Sequence, residues 1–225
     1  MARVRTAALI SGRGSNLRAL LEAAAEPGFP AEIALVLSNV PGAGGLQHAA
    51  DFGIPAAVID HRSYADREAF ETDLDRQLRS AGIELVCLAG FMRLLTAGFV
   101  ERWWDRVINI HPSLLPAFRG LNTHARALAA GVRIAGCTVH FIRPATDDGP
   151  IIVQGAVPVH PDDSPESLAA RVLAVEHRCY PLALRLVAAG QARVEGDRVR
   201  LADGKMAGKV LINPGPEAAN AVISP

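Results

Sequence analysis

The sequence predicts an α/β fold of Rossmann-like layout: an open, twisted, mostly parallel sheet flanked by helices, with an antiparallel C-terminal part. Three observations predict it. Short apolar runs alternate with helix-patterned segments through the first 130 residues, the rhythm of parallel strands joined by right-handed crossovers. Two further strand-like runs then follow one another with no helix between them. A glycine count of 20 fits many tight strand-to-helix turns.

Val4 to Ile10 is the first strand, ending at Ser11-Gly12, and Asn16 to Ala25 is a helix of strong helix formers with apolar residues at helical spacing. Ala31 to Leu37 (strand), Gly45 to Phe52 (helix) and Pro55 to Ile59 (strand) continue the alternation. Asp66 to Ala81 is a helix stopped by Gly82. Glu84 to Ala89, strongly apolar, is the central strand. Thr96 to Trp104 is a short helix, Arg106 to Ile110 the fifth strand, and Thr123 to Ala130 a helix running to Gly131. Ile134 to Ile142 and Ile151 to Pro158 are strands joined by a polar connection carrying Asp147 and Asp148, the kind of loop where function concentrates. Ser164 to Ala189 is a long amphipathic helix with Pro165 in its first turn. Ala192 to Val194 and Arg198 to Leu201 are short strands about Gly196. We expect one domain over 1–201 (halves about 1–105 and 106–201) and a poorly ordered or loosely packed tail over 202–225.

Lys+Arg and Asp+Glu are equal at 23 each over 225 residues, so no global field steers the chain toward nucleic acid or membrane. No apolar run reaches the ~18 residues of a membrane span, and the first residues show no signal-peptide pattern. Cys87, Cys137 and Cys179 are scattered without a CxxC pair, which argues for a reducing compartment and against a disulfide framework or structural zinc. The expectation is a cytoplasmic protein with no catalytic metal, since no His/Cys cluster has ligand spacing.

Four stretches can carry chemistry. Ser11-Gly12-Arg13-Gly14-Ser15-Asn16 joins the first strand to the first helix, where backbone N–H groups and the helix N-terminus form an anion cradle. Leu17 occupies the third glycine position of a dinucleotide fingerprint and no Gly-Lys-Ser/Thr follows, so a phosphomonoester fits better than a dinucleotide. In Asn109-Ile110-His111-Pro112, the amide and imidazole lie two residues apart on a strand and share a face. They either hold a polarised carbonyl or are core residues satisfied by backbone. Asp147-Asp148-Gly149 places a carboxylate after the sixth strand. Near His111 it would orient the ring and favour its charged form; alternatively it is a surface turn. Glu176-His177 lies on the long helix, facing either the sheet or solvent, while His124 and His140 are open between buried and catalytic roles.

Ser11–Leu17, Leu88-Ala89-Gly90-Phe91-Met92-Arg93, Asn109–Pro116 and Asp147–Pro150 occur in order and at a spacing that resembles the folate-dependent phosphoribosylglycinamide formyltransferases. The resemblance covers nearly all of the chain but its tail. It implies transfer of the formyl group of 10-formyltetrahydrofolate, a co-substrate, to the amine of glycinamide ribonucleotide in purine synthesis, by direct attack. It implies that Asn109 and protonated His111 stabilise the oxyanion and that Asp147, selected over Asp148 by the family's spacing, holds His111 charged and relays a proton. Gly14, Ser15 and Asn16 match the phosphate-binding positions and Glu176 the carboxylate contacting the glycinamide end. Arg67, Met92, Arg93, Leu94 and Leu95 match folate-binding positions, the last four as an apolar slot, together with Asn109. Arg13, Arg119, Asn122 and Asp148 depart from what some relatives carry.

Two similar families are set aside as expectations: formyltetrahydrofolate deformylase carries an extra N-terminal domain, and methionyl-tRNA formyltransferase a C-terminal RNA-binding domain and a basic surface. A non-catalytic nucleotide-binding module would need none of Asn109, His111 and Asp147. The partners expected are the two small-molecule substrates, for a monomer or homodimer.

Overall fold

The structure is a computed structural model, and it describes residues 2–202. The elements run β1 (Val4–Ile10), α1 (Ser15–Ala24), β2 (Ala31–Ser38), α2 (Gly45–Asp51), β3 (Ala56–Val58), a 3-10 turn (His61–Ser63) and α3 (Arg67–Ser80). They continue with β4 (Leu85–Leu88), α4 (Ala97–Arg102), β5 (Val107–His111), α5 (Thr123–Ala129), β6 (Ile134–Phe141), β7 (Ile151–Pro158) and α6 (Pro165–Ala188), then β8 (Ala192–Glu195) and β9 (Arg198–Leu201). The expected tail beyond residue 202 lies outside the described residues.

Seven strands form one sheet in the order β3-β2-β1-β4-β5-β6-β7, so β4 is central, as its apolar run predicts. The pairs from β3 through β5 are parallel, and β5–β6 and β6–β7 are antiparallel. The antiparallel β6–β7 pairing follows from chain length. The nine-residue link from β6 to β7, residues 142–150, is too short for a helical crossover. Among the described residues, β8 and β9 pair with each other as a separate hairpin.

Period-two alternation distributes each inner strand between two cores. In β1, Ala8 and Ile10 pack on one face with Leu17, Leu20, Leu168, Val172 and Tyr180 of α1 and α6. Ala7 and Leu9 pack on the other with Phe70, Leu74, Phe99 and Trp103 of α3 and α4. The Tyr180 hydroxyl donates to the Ile108 carbonyl at 3.0 Å, fixing α6 over β5. Asp66 and Thr96 cap α3 and α4, and Ser164 with Ser167 forms a capping box at the start of α6. Pro181 lies inside α6, where it lacks the N–H that would bond the His177 carbonyl.

Candidate active site

β5 runs one residue further than its apolar pattern indicates, so His111 is a strand residue and stands on the same face as Asn109. His111 is buried at 6% exposure, and both of its ring nitrogens meet acceptors. Nε2 lies 3.0 Å from the Phe118 carbonyl and Nδ1 3.4 Å from Asp147 Oδ2. A doubly protonated ring satisfies both. Asp147 also accepts the Gly120 N–H at 2.8 Å, so its carboxylate ties the loop after β5 to the loop after β6.

Across the β5–β6 ladder, Asn109 pairs with His140. The His140 Nδ1 donates to the Phe141 carbonyl at 2.9 Å, which leaves Nε2 as the acceptor for the Asn109 amide at 3.4 Å. Burial pushes the His140 pKa below its ordinary value, keeping the ring neutral and in that accepting role. One Asn109 N–H is thus engaged and the amide orientation set, leaving a second N–H to donate. His124 is a half-buried residue at the start of α5 whose pKa is lowered by burial and by His111.

The turn between β1 and α1 has Gly14 at φ 75°, and a Cβ there would meet the Gly45 Cα at 2.5 Å; only glycine fits. Gly14 lies just ahead of α1, whose first N–H groups have no helical partner. Asn16 is buried, and its Nδ2 donates to Glu176 Oε2 at 2.8 Å. Among the described residues, its Oδ1 has no hydrogen-bond partner. Glu176 is buried as well, at 7% exposure, so it faces inward from α6 rather than toward solvent. Burial raises its pKa, opposed by the Asn16 hydrogen bond and the charge of His111. Gly14, Ser15, Asn16, Glu176, His111, Asn109 and Asp147 therefore form one connected zone at the carboxyl ends of β1 and β5, where open α/β sheets bind ligands.

The segment after β4 joins this zone through Ser11. The Met92 N–H donates to Ser11 Oγ at 2.7 Å, and Glu71, buried under it, accepts the Thr96 N–H at 2.8 Å. Leu95 packs into the second core with Phe91. Met92 and Leu94 are 73% and 60% exposed, standing in solvent rather than lining an enclosed slot. Among the described residues, Arg93 Nε is buried without a hydrogen-bond partner. Arg67 opens α3 and is exposed. Among the described residues, no group of three or more His, Cys, Asp or Glu could hold a metal, and no helix is long and apolar enough to cross a membrane.

Several supporting residues escape sequence reasoning. Thr138 accepts the Leu115 N–H at 3.0 Å and donates to the Ser113 carbonyl at 2.7 Å, pinning the segment that leaves β5. The signal for Glu176 was present: it falls in the buried stripe Leu168, Val172, Glu176, Cys179, Tyr180 and Ala183, a carboxylate on an apolar face.

Residues 4–184 match the sequence profile of the formyl transferase family. The trifunctional purine biosynthetic protein adenosine-3 of Gallus gallus is 50% identical over 192 residues, covering 85% of this chain and 19% of its own length. This chain thus spans about a fifth of that relative. The phosphoribosylglycinamide formyltransferase of Haemophilus influenzae is 39% identical over 201 residues, covering 89% of this chain and 94% of its own. The crystal structure of glycinamide ribonucleotide transformylase 1 from Symbiobacterium toebii superposes with a TM-score of 0.86 at 47% identity, covering 88% of this chain and 94% of that one.

Proposed function

The chain belongs to the formyl transferase family, among its phosphoribosylglycinamide formyltransferases, and from that premise we propose that Asn109, His111 and Asp147 transfer a formyl group from 10-formyltetrahydrofolate to the amine of glycinamide ribonucleotide. One observation carries the assignment: Asp147 lies 3.4 Å from the Nδ1 of His111, whose strand neighbour on the same face is Asn109. Residues 1–201 act as one domain, the first half holding the substrate phosphate and the second the folate and the reacting groups. The protein works in the cytoplasm.

The phosphate rests on the N–H groups of Gly14, Ser15 and Asn16, where the start of α1 favours an anion. Glu176 and the Asn16 carbonyl oxygen accept from the glycinamide end, directing its amine toward β5. Arg67 and the segment from Met92 to Leu95 hold the folate, with Arg93 supplying an unpaired donor. As the amine attacks the formyl carbon, negative charge grows on the formyl oxygen. The free N–H of Asn109 donates to it, held in orientation by His140. The His111 cation adds its charge, with Asp147 behind it; its Nε2–H reaches the oxygen as the Phe118 carbonyl gives way. Asp147 then assists the proton from the attacking amine to the leaving nitrogen.

The test is product analysis with purified protein, glycinamide ribonucleotide and 10-formyltetrahydrofolate. Formylated ribonucleotide is expected in one-to-one yield with tetrahydrofolate. Free formate without formylated product would identify a hydrolase instead.

A further inference from the structure

Two loops meet over His111. The first, residues 117–122, supplies the Phe118 carbonyl to His111 Nε2 at 3.0 Å and the Gly120 N–H to Asp147 at 2.8 Å. The second, residues 143–149, carries Asp147. Both hold non-glycine residues in the left-handed region: Phe118 (φ 53°), Asn122 (φ 55°) and Asp147 (φ 52°). Such conformations are unfavourable for non-glycine residues and persist only where surrounding contacts enforce them.

Each loop has its own anchor to the body of the protein. Arg126 donates to the Leu121 carbonyl at 3.3 Å and lies 5.7 Å from the centre of the Phe118 ring. Arg143 bonds Asp105 at 2.7 Å and covers the Trp104 ring at 4.0 Å. Between the loops, the Arg119 guanidinium forms an ion pair with the Asp148 carboxylate. Arg119 lies between the two residues that bond His111 and Asp147, and Asp148 directly follows Asp147. The pair therefore acts on the backbone immediately beside both contacts of the His111 ring.

We propose that Arg119 and Asp148 are positioning residues: their ion pair clasps loop 117–122 to loop 143–149 and keeps the Asp147 carboxylate on His111. The inference rests on the catalytic reading of His111 and Asp147. The side chains are 44% and 49% exposed, so the clasp is weak and screened by salt.

Arg119→Gln and Asp148→Asn are each expected to lower kcat roughly 2- to 5-fold at low salt, the span of an exposed pair. KM for glycinamide ribonucleotide stays unchanged, because Gly14–Asn16 and Glu176 are untouched. The double variant costs no more than either single one, as two ends of one contact must. Arg119→Lys with Asp148 intact recovers most of the loss. In ~1 M NaCl, where screening acts within about 3 Å, wild-type and variant rates converge. Amide exchange at Gly120 accelerates in both single variants, while the melting temperature is unmoved. Wild-type kcat at low salt in either single variant, or additive losses in the double variant, overturns the clasp. Should His111→Ala keep full turnover, the catalytic reading falls instead, and the Gly120 exchange still reports on the loops.

Discussion

Gly149 is where the loop bearing Asp147 passes closest to the sheet, and Gly149→Ala tests how much its position matters. A Cβ at Gly149 would lie 1.7 Å from the Phe141 carbonyl oxygen and 2.8 Å from its carbon. Close carbon–oxygen contacts sit at roughly 3.3 Å or more, so the loop must retreat by about 1.6 Å. Flexible side chains cannot absorb this, because the obstacle is backbone of β6. Asp147 is two residues away and already 3.4 Å from His111 Nδ1, at the outer edge of contact. A misplacement of about 1 Å at a reacting centre costs on the order of 10²-fold. Steady-state formyl transfer should therefore lose roughly 10²-fold in kcat, with KM for glycinamide ribonucleotide little changed. Overpacking of this kind costs about 1–3 kcal/mol, which lowers Tm by several degrees in a chain of this size. A kcat within twofold of wild type, in a variant that melts at the wild-type temperature, would refute the argument that loop geometry sets the rate.

Other outcomes follow from the buried ionisable groups. Glu176 has a raised pKa through burial, so the folded state binds its proton more tightly than the unfolded chain does and the ionised carboxylate costs stability at neutral pH. Glu176→Gln should leave Tm unchanged or higher while raising KM for glycinamide ribonucleotide about 10-fold or more, the loss of a charge-assisted hydrogen bond; a lower Tm with unchanged KM contradicts this. Asp163 has a depressed pKa because Arg171 bonds its carboxylate, with the His160 N–H and Ser167 adding to it. Its contribution is present above the ordinary carboxylate range and vanishes as pH falls through the depressed value, so the Tm deficit of Asp163→Asn should be largest near pH 7 and shrink in acid. A deficit independent of pH would rule out the ion pair as its source. Cys87 is fully buried, its thiol pushed up to about 12, and mass spectrometry after brief iodoacetamide treatment should find it unmodified until the protein unfolds.

Legibility in the sequence followed the period of the signal. β1, β2, β4 and β5 were readable because they are short apolar runs buried on both faces, and the shared face of Asn109 and His111 followed from strand geometry alone. The antiparallel pairing of β6 with β7 was readable from the missing helix between them. Asp147 was not decided by local residues: Asp-Asp-Gly is an ordinary turn, and only the fold brings φ 52° backbone against His111. Glu176 was underrated because a lone carboxylate on a long helix is usually solvated, although its place among Val172, Cys179 and Tyr180 marked it as buried. Ser11, Thr138 and His140 act by contacts across strands and loops, which no spacing rule encodes. Arg119 and Asp148 lie 29 residues apart and meet only because the loops after β5 and β6 close over the same ring.

The account depends most on His111 and Asp147 acting as a unit in formyl transfer. Its most direct measurement is the turnover of His111→Ala, Asp147→Asn and the double variant with glycinamide ribonucleotide and 10-formyltetrahydrofolate, each with its melting temperature. Removing one group that stabilises a developing oxyanion costs roughly 10²–10³-fold, so each single variant should lose at least that much kcat. The double variant should lose little more than the worse single one, and all three should remain folded. Near-normal turnover in a folded single variant, or fully additive losses in the double, would contradict it.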